Sequence, residues 1–242
     1  MVMKYFNVTQ EEIEKKLFNI FVGISLGNKK LTPQLAKKYV KWAHYYTKDN
    51  ALILIADKID VVNYVVFNKL NLKEAEKKVR NKAWGIKGLF DKAIRTLARE
   101  ENDSTYITKV YIVFWEDVTN NEGYKHLKEI LTQEYKENKD FRNQVLYFVN
   151  KYIERRGLKP SEISDDDKDK LADYILSELP TLIGGILWNN TLYNLCLYPT
   201  YIESGMSQFV LDIRGGKYFD ASKLLLRQIC VLVEDYLEEQ TN

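Results

Sequence analysis

Two stretches of the chain are apolar at nearly every position. Leu17 to Ile24 (LFNIFVGI) and Ala51 to Ala56 (ALILIA) are too short for buried helices and show no apolar–polar alternation. That pattern belongs to strands covered on both faces. Tyr106 to Trp115 (YITKVYIVFW) reads as a third strand and Thr191 to Tyr198 as a fourth. Helical signals separate them. Thr9-Gln10-Glu11-Glu12 is a capping box that opens a short helix. Thr32-Pro33 supplies a cap and a first-turn proline for a helix reaching about Tyr46. A long helix follows from about Leu72 to Arg99. Three more fill roughly Asn121 to Glu178, with a break at Gly157 to Asp167. Asp165-Asp166-Asp167 suits a helix N-terminus, where negative charge meets the helix dipole. Pro180 and Gly184-Gly185 are expected to stop the last of the three, and Ala221 to Glu239 to form a final helix.

Apolar strands alternating with helices predict an α/β fold, a central parallel sheet flanked by helices. A chain of 242 residues suits one such domain, so residues 1–242 are expected to form a single unit. Ligands of such sheets bind beyond the carboxyl ends of the strands. Ser25, just past the first strand, and Tyr198, at the end of the fourth, mark where chemistry is expected.

Composition narrows the class. The first twenty residues carry charges at Lys4, Glu11, Glu12, Glu14, Lys15 and Lys16, which breaks the apolar core a secretory leader needs. No apolar run approaches the roughly 18 residues of a membrane helix. Two cysteines, Cys196 and Cys230, give neither a disulfide framework nor zinc spacing. The expectation is a cytoplasmic protein without membrane, metal or cofactor, for which a monomer suffices. The net charge of +2 hides an asymmetry. Between Lys69 and Arg99 stand ten basic residues against three acids (Glu74, Glu76, Asp91), a net of +7 that leaves −5 for the rest. At about 100° per residue, Lys73, Lys77, Arg80, Lys87 and Arg95 fall within an arc of roughly 80°. They make a stripe some 30 Å long at about 1.5 Å per residue, which suits a phosphate backbone better than a small anion. A solvated helix face is the plainer alternative.

Gly23-Ile24-Ser25-Leu26-Gly27 matches G-x-S-x-G, the nucleophile elbow of α/β-hydrolases. A hydrolase triad also needs a late histidine, and the chain has only His44 and His126. Ser25 is therefore read as a nucleophile outside that triad. Backbone N–H groups of Gly27 and Asn28 are candidates for stabilising an oxyanion. Tyr174 and Glu178 lie four apart, on one face of a helix, where a carboxylate beside a phenol can hold an ammonium group; a surface Glu beside a half-buried Tyr is the bland alternative. Leu195-Cys196-Leu197-Tyr198-Pro199 ends a strand on a tyrosine, since proline is kept out of strand interiors. The phosphate loop G-x-x-x-x-G-K-[ST], a helix-opening G-x-G-x-x-G and metal-ligand clusters are all missing from the sequence.

Taken in order, these pieces resemble the cyclodipeptide synthases, from about Phe21 to Tyr201. The matching features are Gly23 to Asn28, the apolar strand leading to Ile59-Asp60, and the basic helix after Lys73-Glu74-Ala75-Glu76. The Glu-x-Tyr ending at Tyr124, the Tyr-x-x-x-Glu-x-Pro of Tyr174, Glu178 and Pro180, and the strand end at Tyr198 complete the set. The resemblance implies a Rossmann-like fold similar to the catalytic domain of tyrosyl- and tryptophanyl-tRNA synthetases. It implies an aminoacyltransferase that joins aminoacyl groups from two charged tRNAs into a cyclic dipeptide, through an aminoacyl-serine and without ATP. It gives Ser25 the acylated position, and it gives Tyr174 and Glu178 the grip on the amino group. Tyr198 takes later proton transfer, and Asn28 and Tyr124 supporting places. Phe21, Gly23, Gly27, Ile53 and Ile55 are implied to border the substrate, and Lys73, Lys77, Arg80, Lys87 and Arg95 to bind tRNA. Asn28 together with Tyr198-Pro199 combines the marks of two branches of the family. A serine esterase built on Gly23 to Gly27 and a non-catalytic tRNA-binding module are the rival readings.

Overall fold

The computed structural model describes residues 2–200, 205–226 and 229–236. In chain order the elements are β1 (Val2–Tyr5), α1 (Gln10–Glu14), β2 (Ile20–Ser25), α2 (Pro33–Tyr46), β3 (Ala51–Ala56), α3 (Val61–Asn68), α4 (Leu72–Glu100), α5 (Thr105–Lys109) and β4 (Val110–Phe114). There follow α6 (Trp115–Thr119), α7 (Glu122–Glu137), α8 (Lys139–Arg155), α9 (Asp165–Gly184), β5 (Ile186–Trp188), β6 (Thr191–Tyr193), β7 (Leu195–Thr200), α10 (Met206–Arg214) and β8 (Val231–Tyr236).

Six strands form one sheet in the order β1-β8-β7-β2-β3-β4. All neighbours are parallel except β1, which closes one edge antiparallel to β8. The chain leaves β2 for β3 and β4, then returns as β7 on the other side of β2. Diverging connections of this kind open a crevice at the strand ends, between β2 and β7.

Each strand divides its side chains between two apolar layers. Ile20, Val22 and Ile24 of β2 and Ala51 and Ile53 of β3 pack with α2 and the second half of α4. Phe21 of β2, Leu52, Leu54 and Ala56 of β3 and Cys196 of β7 pack on the other face, with α7, α8, α9 and α10. A smaller cluster joins Leu26 and Ile55 to Val79 and Ala83 of α4 at the carboxyl edge of the sheet. Among the described residues no helix is long and apolar enough to cross a membrane.

The expected capping box holds: the Thr9 hydroxyl accepts from Glu12 N–H at 3.2 Å, and Glu12 accepts from Thr9 N–H at 2.8 Å. Helices α2, α4, α7, α8 and α9 and strand β3 lie where the pattern places them. Five expectations change. The first strand begins at Ile20, with Leu17 outside it and 56% exposed. Tyr106 belongs to α5, where its hydroxyl donates to Glu101 at 2.8 Å, and only 110–114 is strand. Trp115 then opens α6, because the Asp117 carboxylate accepts the Phe114 N–H at 2.8 Å and turns the chain.

Pro180 does not stop α9, which continues to Gly184. The ring removes the bond to the Leu176 carbonyl and crowds that carbonyl, but buried apolar residues on either side keep the helix in the core. Gly185 ends it with φ +77, where a Cβ would lie 2.5 Å from the Tyr193 carbonyl oxygen. The fourth strand is two: β6 pairs with β5 as a hairpin whose turn residues, Asn189 and Asn190, both have positive φ, while β7 joins the main sheet. Finally, 231–236 is the strand β8, not a helix. Val231, Leu232 and Val233 fit a slot between β7 and β1 that only extended backbone fills. Of the rest of that expectation, Ala221–Leu224 is a single 3-10 turn, and 227–228 and 237–239 fall outside the described residues.

Candidate active site

Ser25 is the last residue of β2, opposite Ala56 of β3, and its side chain is exposed. The chain then folds back tightly. The Asn28 N–H donates to the Ser25 carbonyl at 3.2 Å, and the Gly27 N–H donates to Ser25 Oγ at 3.1 Å. One backbone donor thus already points at the hydroxyl oxygen, where it favours negative charge on that atom. The other, expected to serve an oxyanion, is spent inside the turn. The Asn28 carboxamide oxygen accepts from Lys30 N–H at 3.0 Å, so this side chain shapes the loop. Among the described residues no histidine bonds Ser25. His44 Nε2 meets Thr105 Oγ1 at 2.7 Å, beside the start of β4 at the other end of the sheet, so the hydrolase triad has no support.

Side-chain alternation puts Gly23 on the same face as Ser25. A Cβ at Gly23 would stand 4.0 Å from the ring of Tyr198, an ordinary packing distance that places this ring over β2. The Tyr198 hydroxyl donates to the Glu178 carboxylate. Tyr174 lies one turn before Glu178 on α9. Protein surrounds these three side chains on most sides, yet each keeps some accessible surface. Burial raises the Glu178 carboxyl to about 7, a value the Tyr198 hydrogen bond pulls down against. Burial, with the adjacent Glu178 charge, pushes both phenols well above their ordinary value. The site therefore holds one carboxyl group that titrates near neutrality between two phenols that stay protonated.

Tyr124 acts at one remove. Its hydroxyl donates to the Ser177 carbonyl at 2.9 Å, bracing α9 beside Glu178. Phe21 lies deeper on the same face as Gly23. Ile53 and Ile55 are corrections: both are fully buried, and their side chains leave the other face of β3, toward α2 and α4. Leu54 and Ala56, opposite Gly23 and Ser25, occupy the places expected for them. A strand apolar at all six positions gives no polarity cue to its facing.

Two further groups join, neither of which is given a role by the sequence pattern. Tyr152 of α8 stacks on Tyr174, with ring centroids 6.2 Å apart and planes at 8°. Burial raises its phenol to about 12. Asp60, at the turn after β3, is 4% exposed and accepts from Asn63 Nδ2 at 2.5 Å. Desolvation raises it to about 6, and its charge is felt at Tyr174 and Tyr152.

The basic stripe lies on the other side of the same edge. Helix α4 is about 43 Å long at about 1.5 Å per residue. Val79 and Ala83 pack at the carboxyl edge of the sheet, next to Leu26, while Phe90 to Leu97 pack farther back. Lys73, Lys77 and Arg80 accordingly stand at the Ser25 end. Arg95 stands at the far end, in a cleft with Arg99, Asn102, Ser104 and Ile107. Lys73, Lys77, Arg80 and Arg95 are exposed and make no ion pair among the described residues. Lys87 differs, since its ammonium meets Asp91 at 2.7 Å. No group of three His, Cys, Asp or Glu able to hold a metal occurs among the described residues.

A family model described as cyclodipeptide synthase matches residues 5–207. The chain belongs to the cyclodipeptide synthase family. Solved structures agree in fold. A cyclodipeptide synthase from Staphylococcus haemolyticus superposes with a TM-score of 0.69 at 18% identity, covering 98% of this chain and 100% of that one. One from Bacillus thermoamylovorans gives 0.71 at 17%, covering 98% and 96%. A third, from Candidatus Glomeribacter gigasporarum and bound to Phe-tRNAPhe, gives 0.59 at 13%, covering 96% and 95%. No curated protein matches the sequence. These likenesses run over nearly the whole of each chain and are likenesses of fold.

Proposed function

We propose that this cyclodipeptide synthase works by ping-pong acyl transfer through Ser25, with two aminoacyl-tRNAs as substrates. The observation that carries the reading is the convergence of Ser25, Gly23, Tyr198, Glu178 and Tyr174 at one strand edge, from segments up to 175 residues apart. Their spacing in sequence gives no other reason for them to meet. A relative of the same fold, bound to Phe-tRNAPhe, supports the substrate class.

In the first step Ser25 Oγ attacks the ester carbonyl of the first aminoacyl-tRNA. The ribose oxygen leaves with the serine proton, and an aminoacyl-Ser25 ester remains. Ester replaces ester, so the step needs no ATP. Ionised Glu178, steadied by the Tyr198 hydroxyl, holds the ammonium of the stored residue. Glu178 then accepts a proton, and the freed amine attacks the second aminoacyl-tRNA; a peptide bond forms and the second tRNA departs. The new terminal amine attacks the Ser25 ester, closing the six-membered ring and restoring the hydroxyl. Both ends of that last reaction are held on one chain, which lends it the advantage of an intramolecular process. Tyr198, kept protonated, is placed to relay protons between Glu178 and the reacting amine. Phe21, Gly23, Leu54 and Ala56 form the apolar floor for the first side chain.

Incubation with charged tRNAs followed by mass spectrometry tests the reading. The wild-type chain is expected to yield a cyclic dipeptide and, with a single charged tRNA, an aminoacylated protein. Ser25→Ala is expected to lose both, with turnover down on the order of 10⁴-fold or more. Product formation by Ser25→Ala at the wild-type rate would refute the covalent route.

A further inference from the structure

Trp84 is an anomaly of the fold. Of the four tryptophans it is the exposed one, at 57%, while Trp115 is at 4%. It sits on α4 at an angle inside the arc of Lys73, Lys77, Arg80, Lys87 and Arg95. Tryptophan is on average a highly buried side chain, so its exposure on a charged helix face asks for a reason. The ring is not loose: its centroid lies 5.4 Å from that of Phe114, at 57°, and Lys87 Nζ is 5.8 Å from its own centroid. Around it the helix is bare. Gly85 and Gly88 leave open space where a Cβ would stand, although each costs an exposed helix about 1 kcal/mol against alanine.

The position relative to Ser25 is specific. Trp84 follows Ala83, which packs with Leu26, the neighbour of Ser25. Phe114 ends β4, two strands from β2, about 10 Å across the sheet at about 4.8 Å per strand. The aromatic pair therefore lies at the carboxyl edge of the sheet, within the basic stripe and on the face opposite to the Ser25 side chain.

We infer that Trp84, backed by Phe114, is a stacking platform for an unpaired base at the 3′ end of the tRNA. The inference rests on the proposed use of charged tRNA. Bases inside a duplex are stacked on one another, and only single-stranded segments offer a free face to a side chain. A nucleic acid held by phosphate contacts along α4 must pass its unpaired 3′ end over this edge for the ester to reach Ser25. An indole ring beside ammonium groups and a bare helix backbone meets that segment with stacking and charge together.

The test compares Trp84→Leu and Trp84→Phe with wild type, using uncharged tRNA that is intact or lacks its unpaired 3′ nucleotides. Leucine keeps an apolar contact to Phe114 but has no π face. Trp84→Leu is expected to weaken binding of intact tRNA by about 5- to 150-fold, the loss that follows removal of one base stack. Trp84→Phe is expected to stay within a few-fold of wild type. With truncated tRNA all three proteins are expected to bind alike, and the salt dependence of Trp84→Leu to match wild type. Equal binding of intact tRNA by Trp84→Leu, or an equal loss on truncated tRNA, overturns the platform. If the wild-type chain itself neither binds nor uses tRNA, the proposed function falls with it; if it does and Trp84→Leu is unaffected, the platform alone falls.

Discussion

Helices α9 and α4 both bring charge to the same edge of the sheet, in opposite ways. On α9 a single carboxyl group, Glu178, is enclosed by Tyr174, Tyr198 and apolar side chains, and its protonation is pulled to neutrality. On α4 many ammonium and guanidinium groups stand in water along the helix. An enclosed charge is strong because little solvent shares it, and it tolerates little error in placement. An exposed charge is weak, salt-screened and replaceable, and gains force only by number. The first arrangement suits a reaction centre and the second the capture of a long polyanion. The two regions should fail differently when altered.

The largest contrast is expected at Glu178. Glu178→Gln should lower turnover by about 10²- to 10⁴-fold, the range of a lost general base. It should also flatten a pH profile. In the wild type, kcat/KM for acylation is expected to rise as Glu178 ionises near pH 7, because only the carboxylate holds an ammonium. Stability should move the other way. A carboxyl raised from 4.5 to about 7 stabilises the fold below about pH 4.5, and that contribution is lost as pH climbs through 7. Glu178→Gln should therefore melt higher than wild type at pH 8, by an amount of order 3 kcal/mol at most. A melting temperature at pH 8 equal to or below wild type would break the claim that the charge is enclosed.

A smaller effect is expected from a pair on β3. Ala56→Val adds bulk beside Ser25 and should cut acylation by about tenfold, most for large amino acids, as overpacking by two methyl groups costs about 1–3 kcal/mol. Ile55→Val, on the opposite face, should cost about 1 kcal/mol of stability and leave the choice of amino acid unchanged. Product ratios from mixed charged tRNAs read the difference. A shift in those ratios with Ile55→Val would reverse the assignment of the two faces.

The smallest effects belong to α4. Lys77→Ala should lower the slope of log binding against log salt by about one. Lys87→Ala should lower it by less, because Asp91 already neutralises that ammonium at 2.7 Å. Equal slopes for the two variants would show that the stripe acts as a uniform field.

Much of this arrangement can be read in the residues, for a local reason. Thr32-Pro33, the apolar ALILIA and the long basic helix carry their own signals, and Gly23 to Asn28 marks a strand end by composition. What escapes notice depends on distant partners. Val231 to Val233 becomes a strand because β7 and β1 flank it; the same residues suit a helix when seen alone. Val61 to Asn68, rich in β-branched residues, is helical because α4 and α9 enclose it. In β3 a slip of one position exchanges Ile53 and Ile55 for Leu54 and Ala56, and a wholly apolar strand offers nothing to fix it. Tyr152 and Asp60 reach Tyr174 only through the packing of α8 and the turn after β3.

The antiparallel pairing of β1 with β8 has a consequence in time. Lys4 lies opposite Glu234, so the first strand made waits for a partner synthesised more than two hundred residues later. At roughly 5–20 residues per second, β1 remains without β8 for about 11–45 s of translation and β7 for about 2–6 s. Tyr198 sits on β7, whose outer neighbour is β8. The strand that carries Tyr198 therefore gains its outer neighbour only when the last strand of the sheet has been made.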